Sequence, residues 1–202
     1  MAIGRMDTKI GVLALQGGVV EHENMLKKVG ADPVAVRLPE HLAGLSGLII
    51  PGGESTTIGK LSARFGLMEP MRAFAGERPV WGTCAGMIFL ARDIGMDQPL
   101  LGVMNITVER NAFGSQLASF ATELTVPDLE EGSRKPFPAV FIRAPKLVAA
   151  HGEVRVMAHL PDGTPVAARE GHWLATAFHP ELTGDTRFHR YFLDMVLEHT
   201  AR

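Results

Sequence analysis

Cysteine is almost missing from this sequence: Cys84 is the only one in 202 residues. A single thiol excludes an internal disulfide and any zinc site built on cysteines. It also suits a reducing, cytoplasmic setting, which is the location expected for this chain. Long apolar runs are missing too. None approaches the roughly 18 to 20 residues that span a bilayer, and the opening "MAIGRMDTKI" holds no apolar segment of signal-peptide length. Charge is nearly balanced, and a net charge of -2 gives no electrostatic reason to expect nucleic acid or an anionic membrane as partner. No H-x-x-x-H pair with a carboxylate third ligand occurs, so neither a metal nor another cofactor is expected.

What is present is ordinary for a soluble globular protein. Hydrophobic residues make up 46% and charged residues 21%, and the chain is long enough to bury a substantial core. Residues 1–8 read as a loose leader and residues 9–202 as a single domain, since no repeat, low-complexity tract or linker divides them. "KIGVLAL" (9–15) is a continuous apolar run ended by "QGG", the pattern of a strand buried on both faces. In "VVEHENMLKKVG", Val20, Met25, Leu26 and Val29 fall at helical spacing, His22 is assigned to a solvated face, and Gly30 closes the helix. "PVAVRL", "LSGLIIPGG" and "RPVWG" read as three more strands, with one or two helices over "ESTTIGKLSARFGLMEPMRAFAG", broken near Gly66 and Pro70.

The order predicts an α/β fold with a mainly parallel central sheet. The second half is a series of short β-rich runs, from "GVMNITVER" to "HWLATAFH", expected as antiparallel additions to that sheet. A final amphipathic helix, "DTRFHRYFLDMVLEHT", puts Phe188, Phe192, Met195 and Val196 on one side.

Cys84 stands in G-T-C-A-G, between a strand and a helix. A lone cysteine is often an inert core residue. Glycines at both ±2 positions instead give the form of a nucleophile elbow, a strained turn that presents the side chain at the carboxyl end of a strand. The helix N-terminus there favours a thiolate. Local sequence leaves buried thiol and nucleophile both open. A nucleophile needs a base and a group to orient it, and "AFHPEL" offers both. His179 and Glu181 are two residues apart, on one side of an extended segment stiffened by Pro180. Attack on an amide also needs donors for the oxyanion. Ala85 supplies one backbone N–H, and Gly53 in "PGGES" can supply the second. A phosphate-cradling role for "PGGESTT" is disfavoured, because the G-x-x-x-x-G-K-[ST] spacing is missing and Glu54 repels phosphate.

Taken together, "GVLALQGGVVEH", "GLIIPGGESTT", "GTCAGMIFLA", "VERNAFGSQLASF", "FIRAPKL" and "FHPELTGDTRFHRYF" resemble the glutaminase subunit of pyridoxal 5'-phosphate synthase, a class I, triad-type glutamine amidotransferase. The likeness runs from about residue 9 to the final helix. It implies a three-layer, flavodoxin-like fold and hydrolysis of L-glutamine to glutamate and ammonia. It implies Cys84 as nucleophile, His179 as proton carrier and Glu181 as its orienting group. Gly53, Glu54, Ser55, Arg110, Ile142 and Arg143 are implied as the glutamine site, with Gln16 near the oxyanion loop and the synthase interface. The implied partner is a separate synthase subunit, a (β/α)8 barrel that receives the ammonia within a large hetero-oligomer. A second glycine in "QGGVV" and a polar loop "LEEGSRKPFPA" depart from the family pattern without touching a triad residue. Other readings are a glutaminase serving a different synthase, another cysteine hydrolase, or a non-enzymatic α/β protein that keeps an elbow cysteine. "ERNAFG" and "FIRAP" argue against the first.

Overall fold

Continuous apolar runs enter one central sheet, and alternating runs form two smaller sheets beside it. The structure, a computed structural model, describes residues 8–110 and 119–201. Residues 1–7 of the expected leader and residues 111–118 of the "VERNAFGSQLASF" motif lie outside the described part. Thr8, counted with the leader by sequence, is buried, and its carbonyl accepts the Asp32 N–H at 3.0 Å.

The first half runs β1 (Lys9–Leu13), α1 (Val19–Lys28), β2 (Asp32–Val36), β3 (Gly47–Ile50), α2 (Ser55–Arg64), α3 (Met68–Glu77), β4 (Val80–Thr83) and α4 (Ala85–Leu90). The second half is strand-rich: β5 (Ala91–Asp93), β6 (Met104–Glu109), β7 (Ser119–Leu124), β8 (Phe137–Ile142), β9 (Lys146–Ala150), β10 (Arg155–His159), β11 (Pro165–Glu170) and β12 (Trp173–Thr176). A 3-10 turn, Pro180–Leu182, and α5 (Arg187–Thr200) follow. The central sheet has the order β10-β11-β12-β4-β3-β1-β2. From β12 to β2 every pairing is parallel, while β10 and β11 extend one edge in antiparallel fashion. This is the mainly parallel α/β sheet with antiparallel additions that the sequence predicts.

The β-rich half needs correction in detail. Among the described residues, only β10 and β11 are antiparallel additions to the central sheet; β12 lies parallel beside β4. β5, β6 and β9 form a separate sheet, and β7 pairs with β8 in another. Burial explains the division. β12 is buried at Leu174, Ala175 and Thr176 in succession, as a strand covered on both faces must be. In β6 and β8 buried residues alternate with accessible ones, so each has one face to cover and does so in a smaller sheet. α1 also differs from the reading by sequence. Val20 is 61% exposed, whereas His22 is fully buried with Met25 and Leu26. The predicted face of α5 is correct: Phe188, Phe192, Met195 and Val196 are all buried.

The core is tied together at Trp81 of β4, which is fully buried. Its ring stacks on Phe188 with centroids 6.1 Å apart and meets His189 edge-on at 4.9 Å and His22 edge-on at 5.8 Å. Side chains from α1 and α5 thus converge on one strand. Burying each large apolar side chain of this kind contributes roughly 1.5 to 3 kcal/mol. Among the described residues no helix is long and apolar enough to cross a membrane.

Candidate active site

Strands β12, β4, β3 and β1 are consecutive neighbours and parallel, so their carboxyl ends share one edge of the sheet. The segments leaving those ends carry His179, Cys84, Gly53 and Gln16 respectively. Open α/β sheets bind ligands at this edge. β6 and β8, from the smaller sheets, end just before Arg110 and Arg143. One cavity of about 190 Å³ collects Gln16, Gly53, Glu54, Ser55, Cys84, Ala85, Ile88, Arg110, Ile142, Arg143 and His179. Apart from Glu181, every site residue singled out by sequence lines it. Glu181 sits behind His179, buried at 6% exposure.

The turn at Cys84 is held by its surroundings. Cys84 has φ 50 and ψ −108, a conformation that costs of order 1–3 kcal/mol for a residue with a side chain. Its N–H donates to the Thr176 carbonyl at 2.8 Å, and its own carbonyl accepts the Met87 N–H at 3.0 Å. The flanking glycines are sterically required. A Cβ on Gly82 would overlap the Gly86 carbonyl, and one on Gly86 would overlap that of Ile50. Strand, turn and helix therefore pack backbone against backbone. Cys84 is both of the things its sequence left open: buried at 5% exposure, yet part of a cavity wall.

His179 bridges Cys84 and Glu181. Its Nδ1 lies 2.7 Å from Glu181 Oε1, and Cys84 neighbours it in the wall of the same cavity. Burial pushes the imidazole towards neutrality. Favourable interactions with neighbouring Cys84 and with hydrogen-bonded Glu181 outweigh burial and raise its pKa to about 10. Burial likewise opposes ionisation of Glu181, but the His179 hydrogen bond and the neighbouring His22 hold its carboxyl below the ordinary range. The arrangement keeps an imidazolium beside the Cys84 sulfur.

Around this pair the loop after β3 is packed by glycines. A Cβ on Gly52 would collide with His179 Cε1 and lie 3.2 Å from Cys84 Cβ. Gly17, at φ +94, rests against the Gly52 carbonyl, where a Cβ would overlap it. Gln16 Oε1 accepts the Glu54 N–H at 2.9 Å, so the loop after β1 holds the loop after β3. Arg110 is fixed by the Thr56 hydroxyl at 3.0 Å and Gln98 Oε1 at 3.1 Å, with Glu54 at 4.0 Å. Arg143 is exposed and has φ 44, an uncommon conformation that turns the chain immediately after β8. The Ile142 carbonyl lies 3.8 Å from Cys84 Sγ. Among the described residues no group of three or more His, Cys, Asp or Glu side chains could hold a metal ion.

Sequence reasoning missed the layer behind Cys84, His179 and Glu181. His22 is not on a solvated face. Its Nε2 lies 3.4 Å from Glu181 Oε2 and 3.2 Å from Thr83 Oγ1, and its Nδ1 is 2.9 Å from His189 Nε2. Thr83 Oγ1 also accepts the Gly52 N–H at 3.1 Å, joining this layer to the loop after β3. The signal was available: His22, Met25, Leu26 and Val29 follow the i, i+3, i+4, i+7 pattern of a buried stripe. Ile88 and Gly52 were likewise passed over.

Comparison with known proteins agrees with this geometry. The profile of the SNO glutamine amidotransferase family matches residues 12–198. A relative from Herpetosiphon aurantiacus, named pyridoxal 5'-phosphate synthase subunit PdxT, is 57% identical over 191 residues, 92% of this chain and 99% of its own. A relative of the same name from Dehalococcoides mccartyi is 57% identical over 195 residues, 95% of this chain and 98% of its own. A crystal structure of a glutamine amidotransferase superposes with a TM-score of 0.86 at 48% identity, covering 93% of this chain and 98% of that one. With the elbow cysteine, its histidine and carboxylate, and nearly full-length similarity, the chain belongs to the SNO glutamine amidotransferase family.

Proposed function

We propose that this chain is the glutaminase subunit of a pyridoxal 5'-phosphate synthase, releasing ammonia from L-glutamine for a separate synthase subunit. The reading is carried by one observation above the others: His179 is held between the Cys84 sulfur and Glu181 at the wall of a cavity lined by two arginines. A free amino acid brings an α-carboxylate and an α-ammonium. Arg110 and Arg143 suit the first, and Glu54 suits the second. The side-chain amide then points to Cys84.

In the reaction, the Cys84 thiolate attacks the amide carbon, and the carbonyl electron pair moves onto oxygen. Backbone N–H groups of Gly53 and Ala85 receive that oxyanion. On collapse, the C–N bond breaks and His179 gives its proton to the departing ammonia. A γ-glutamyl thioester remains on Cys84. Water then attacks the thioester while His179 takes its proton; the C–S bond breaks, and glutamate leaves with the thiolate restored. Glu181 holds the ring through Nδ1, leaving Nε2 to serve the sulfur and the leaving group. No step calls on a metal or cofactor.

The partner in this reading is a (β/α)8-barrel synthase subunit in the cytoplasm, within a large hetero-oligomer that receives the ammonia. Gln16, on the loop that braces Glu54, is the residue through which docking would act on the oxyanion loop. The test is glutamate release from glutamine with and without the synthase subunit, for wild type and Cys84→Ala. Release that needs the partner and vanishes in Cys84→Ala supports the reading. Equal release by the two proteins would sink it.

A further inference from the structure

The carboxylate of Glu181 has two oxygens, and the triad uses one. Oε1 faces His179 at 2.7 Å. Oε2 is buried and, among the described residues, makes no hydrogen bond of ordinary geometry. The nitrogen facing it is His22 Nε2, at 3.4 Å. A buried carboxylate oxygen without a donor is costly, so the protonation of His22 matters.

Two arrangements of the buried pair His22 and His189 are possible. In the first, both rings carry hydrogen on Nε2. His189 Nε2–H then donates to His22 Nδ1 at 2.9 Å, and His22 Nε2–H is shared between Thr83 Oγ1 at 3.2 Å and Glu181 Oε2 at 3.4 Å. Among the described residues, what stays unpaired is the lone pair of His189 Nδ1, an atom with no partner in either arrangement, and the hydroxyl hydrogen of Thr83. In the second, both rings carry hydrogen on Nδ1. That strands a buried N–H at His189 and sets the His22 Nε2 lone pair against the Glu181 carboxylate. Only the first arrangement gives the buried carboxylate oxygen a donor, and it sets no lone pair against it.

We propose that His22 is a positioning residue of the active site. It is a neutral imidazole whose Nε2–H steadies the second oxygen of Glu181, and its tautomer is set by His189. The chain His189, His22, Glu181, His179 and Cys84 then runs from α5 through α1 to the nucleophile. A side branch through Thr83 reaches the N–H of Gly52. One buried imidazole thereby fixes both the carboxylate that aims the base and the loop that carries an oxyanion donor. The titratable groups facing His22 are Glu181, His189 and His179. Burial is the largest influence on both inner rings, lowering each to about 3, so both stay neutral at neutral pH.

The assignment of a catalytic consequence rests on the glutaminase reading; the assignment of the tautomer does not. Two measurements separate them. In the wild-type protein, nitrogen-resolved NMR of the histidine rings is expected to show His22 and His189 as neutral Nε2–H tautomers at pH 7. Hydrogen on Nδ1 of His22 overturns the proposal whether or not the protein hydrolyses glutamine. The second measurement is steady-state glutaminase kinetics with the synthase subunit. In His22→Gln an amide nitrogen can replace Nε2, and kcat is expected within about threefold of wild type. In His22→Asn the amide reaches only towards His189, and in His22→Leu no donor remains. Both are expected to lose about 10- to 100-fold in kcat, with KM within about twofold. Equal kcat for His22→Gln and His22→Asn, or a loss confined to KM, refutes the positioning role. Absence of turnover in wild type would refute the glutaminase reading instead.

Discussion

Two imidazoles flank the carboxylate of Glu181, and their surroundings drive them in opposite directions. His179 faces the cavity and lies between a sulfur and a carboxylate, which raise it to about 10. His22 lies on the inner side, fully buried, and is lowered to about 3 together with His189. The same side chain is held charged on one side and neutral on the other. What differs is the balance between desolvation, which acts on all three, and the favourable neighbours Cys84 and Glu181, which reach His179 from two directions. The outer side of the site is chemistry; the inner side is geometry.

The comparison is broken most severely from the outer side. Cys84→Ala is expected to lower glutamine hydrolysis by at least about 10^4-fold while leaving the inner layer intact, read as glutamate released per enzyme in the presence of the synthase subunit. Gly52→Ala comes next. Its Cβ would strike His179 and crowd Cys84, and displacement of about 1 Å at reacting groups costs on the order of 10^2-fold. That loss should appear in kcat, accompanied by a stability cost of about 1–3 kcal/mol from the overpacking.

Acid titration sharpens the inner side. For His22 and His189 the folded pKa, about 3, is below the unfolded value of 6.5. Their contribution to stability is complete above pH 6.5 and is lost as pH falls towards 3. Between those limits the unfolded chain binds two more protons at these sites, a slope of about 3 kcal/mol per pH unit. His189→Leu should remove about half of that slope in urea unfolding followed against pH. His179 has the opposite sign: its folded value of about 10 exceeds 6.5, so its contribution is whole below pH 6.5 and is lost as pH rises through 10. The smallest effect expected is at a control site. Asp128→Asn, which breaks the partly exposed pair with Arg155, should cost less than about 1 kcal/mol of stability and leave hydrolysis unchanged.

How much of this was legible in the sequence follows from where each signal lies. The parallel core could be read because β1, β3 and β4 are continuous apolar runs punctuated by glycine. Cys84 with its flanking glycines, and His179 with Glu181, could be read because the elbow and the i, i+2 pair are local patterns. Partition of the β-rich half among three sheets could not, since pairing partners lie far apart in the chain: β12 joins β4 across the whole intervening segment. His22 was misplaced because a histidine was judged by its polarity and its charged neighbours in "EHE". Its position on the stripe with Met25, Leu26 and Val29 outweighs that, once His189 arrives from α5 as a partner.

The claim on which the rest depends is that Cys84 forms a covalent glutamyl intermediate. The direct measurement is mass spectrometry of the protein, acid-quenched after brief mixing with glutamine and the synthase subunit. The account predicts a single glutamyl addition on the peptide containing Cys84, absent from Cys84→Ala and prolonged in wild type when hydrolysis is slowed. Release of glutamate with Cys84 unmodified at every time point, and undiminished in Cys84→Ala, would contradict it.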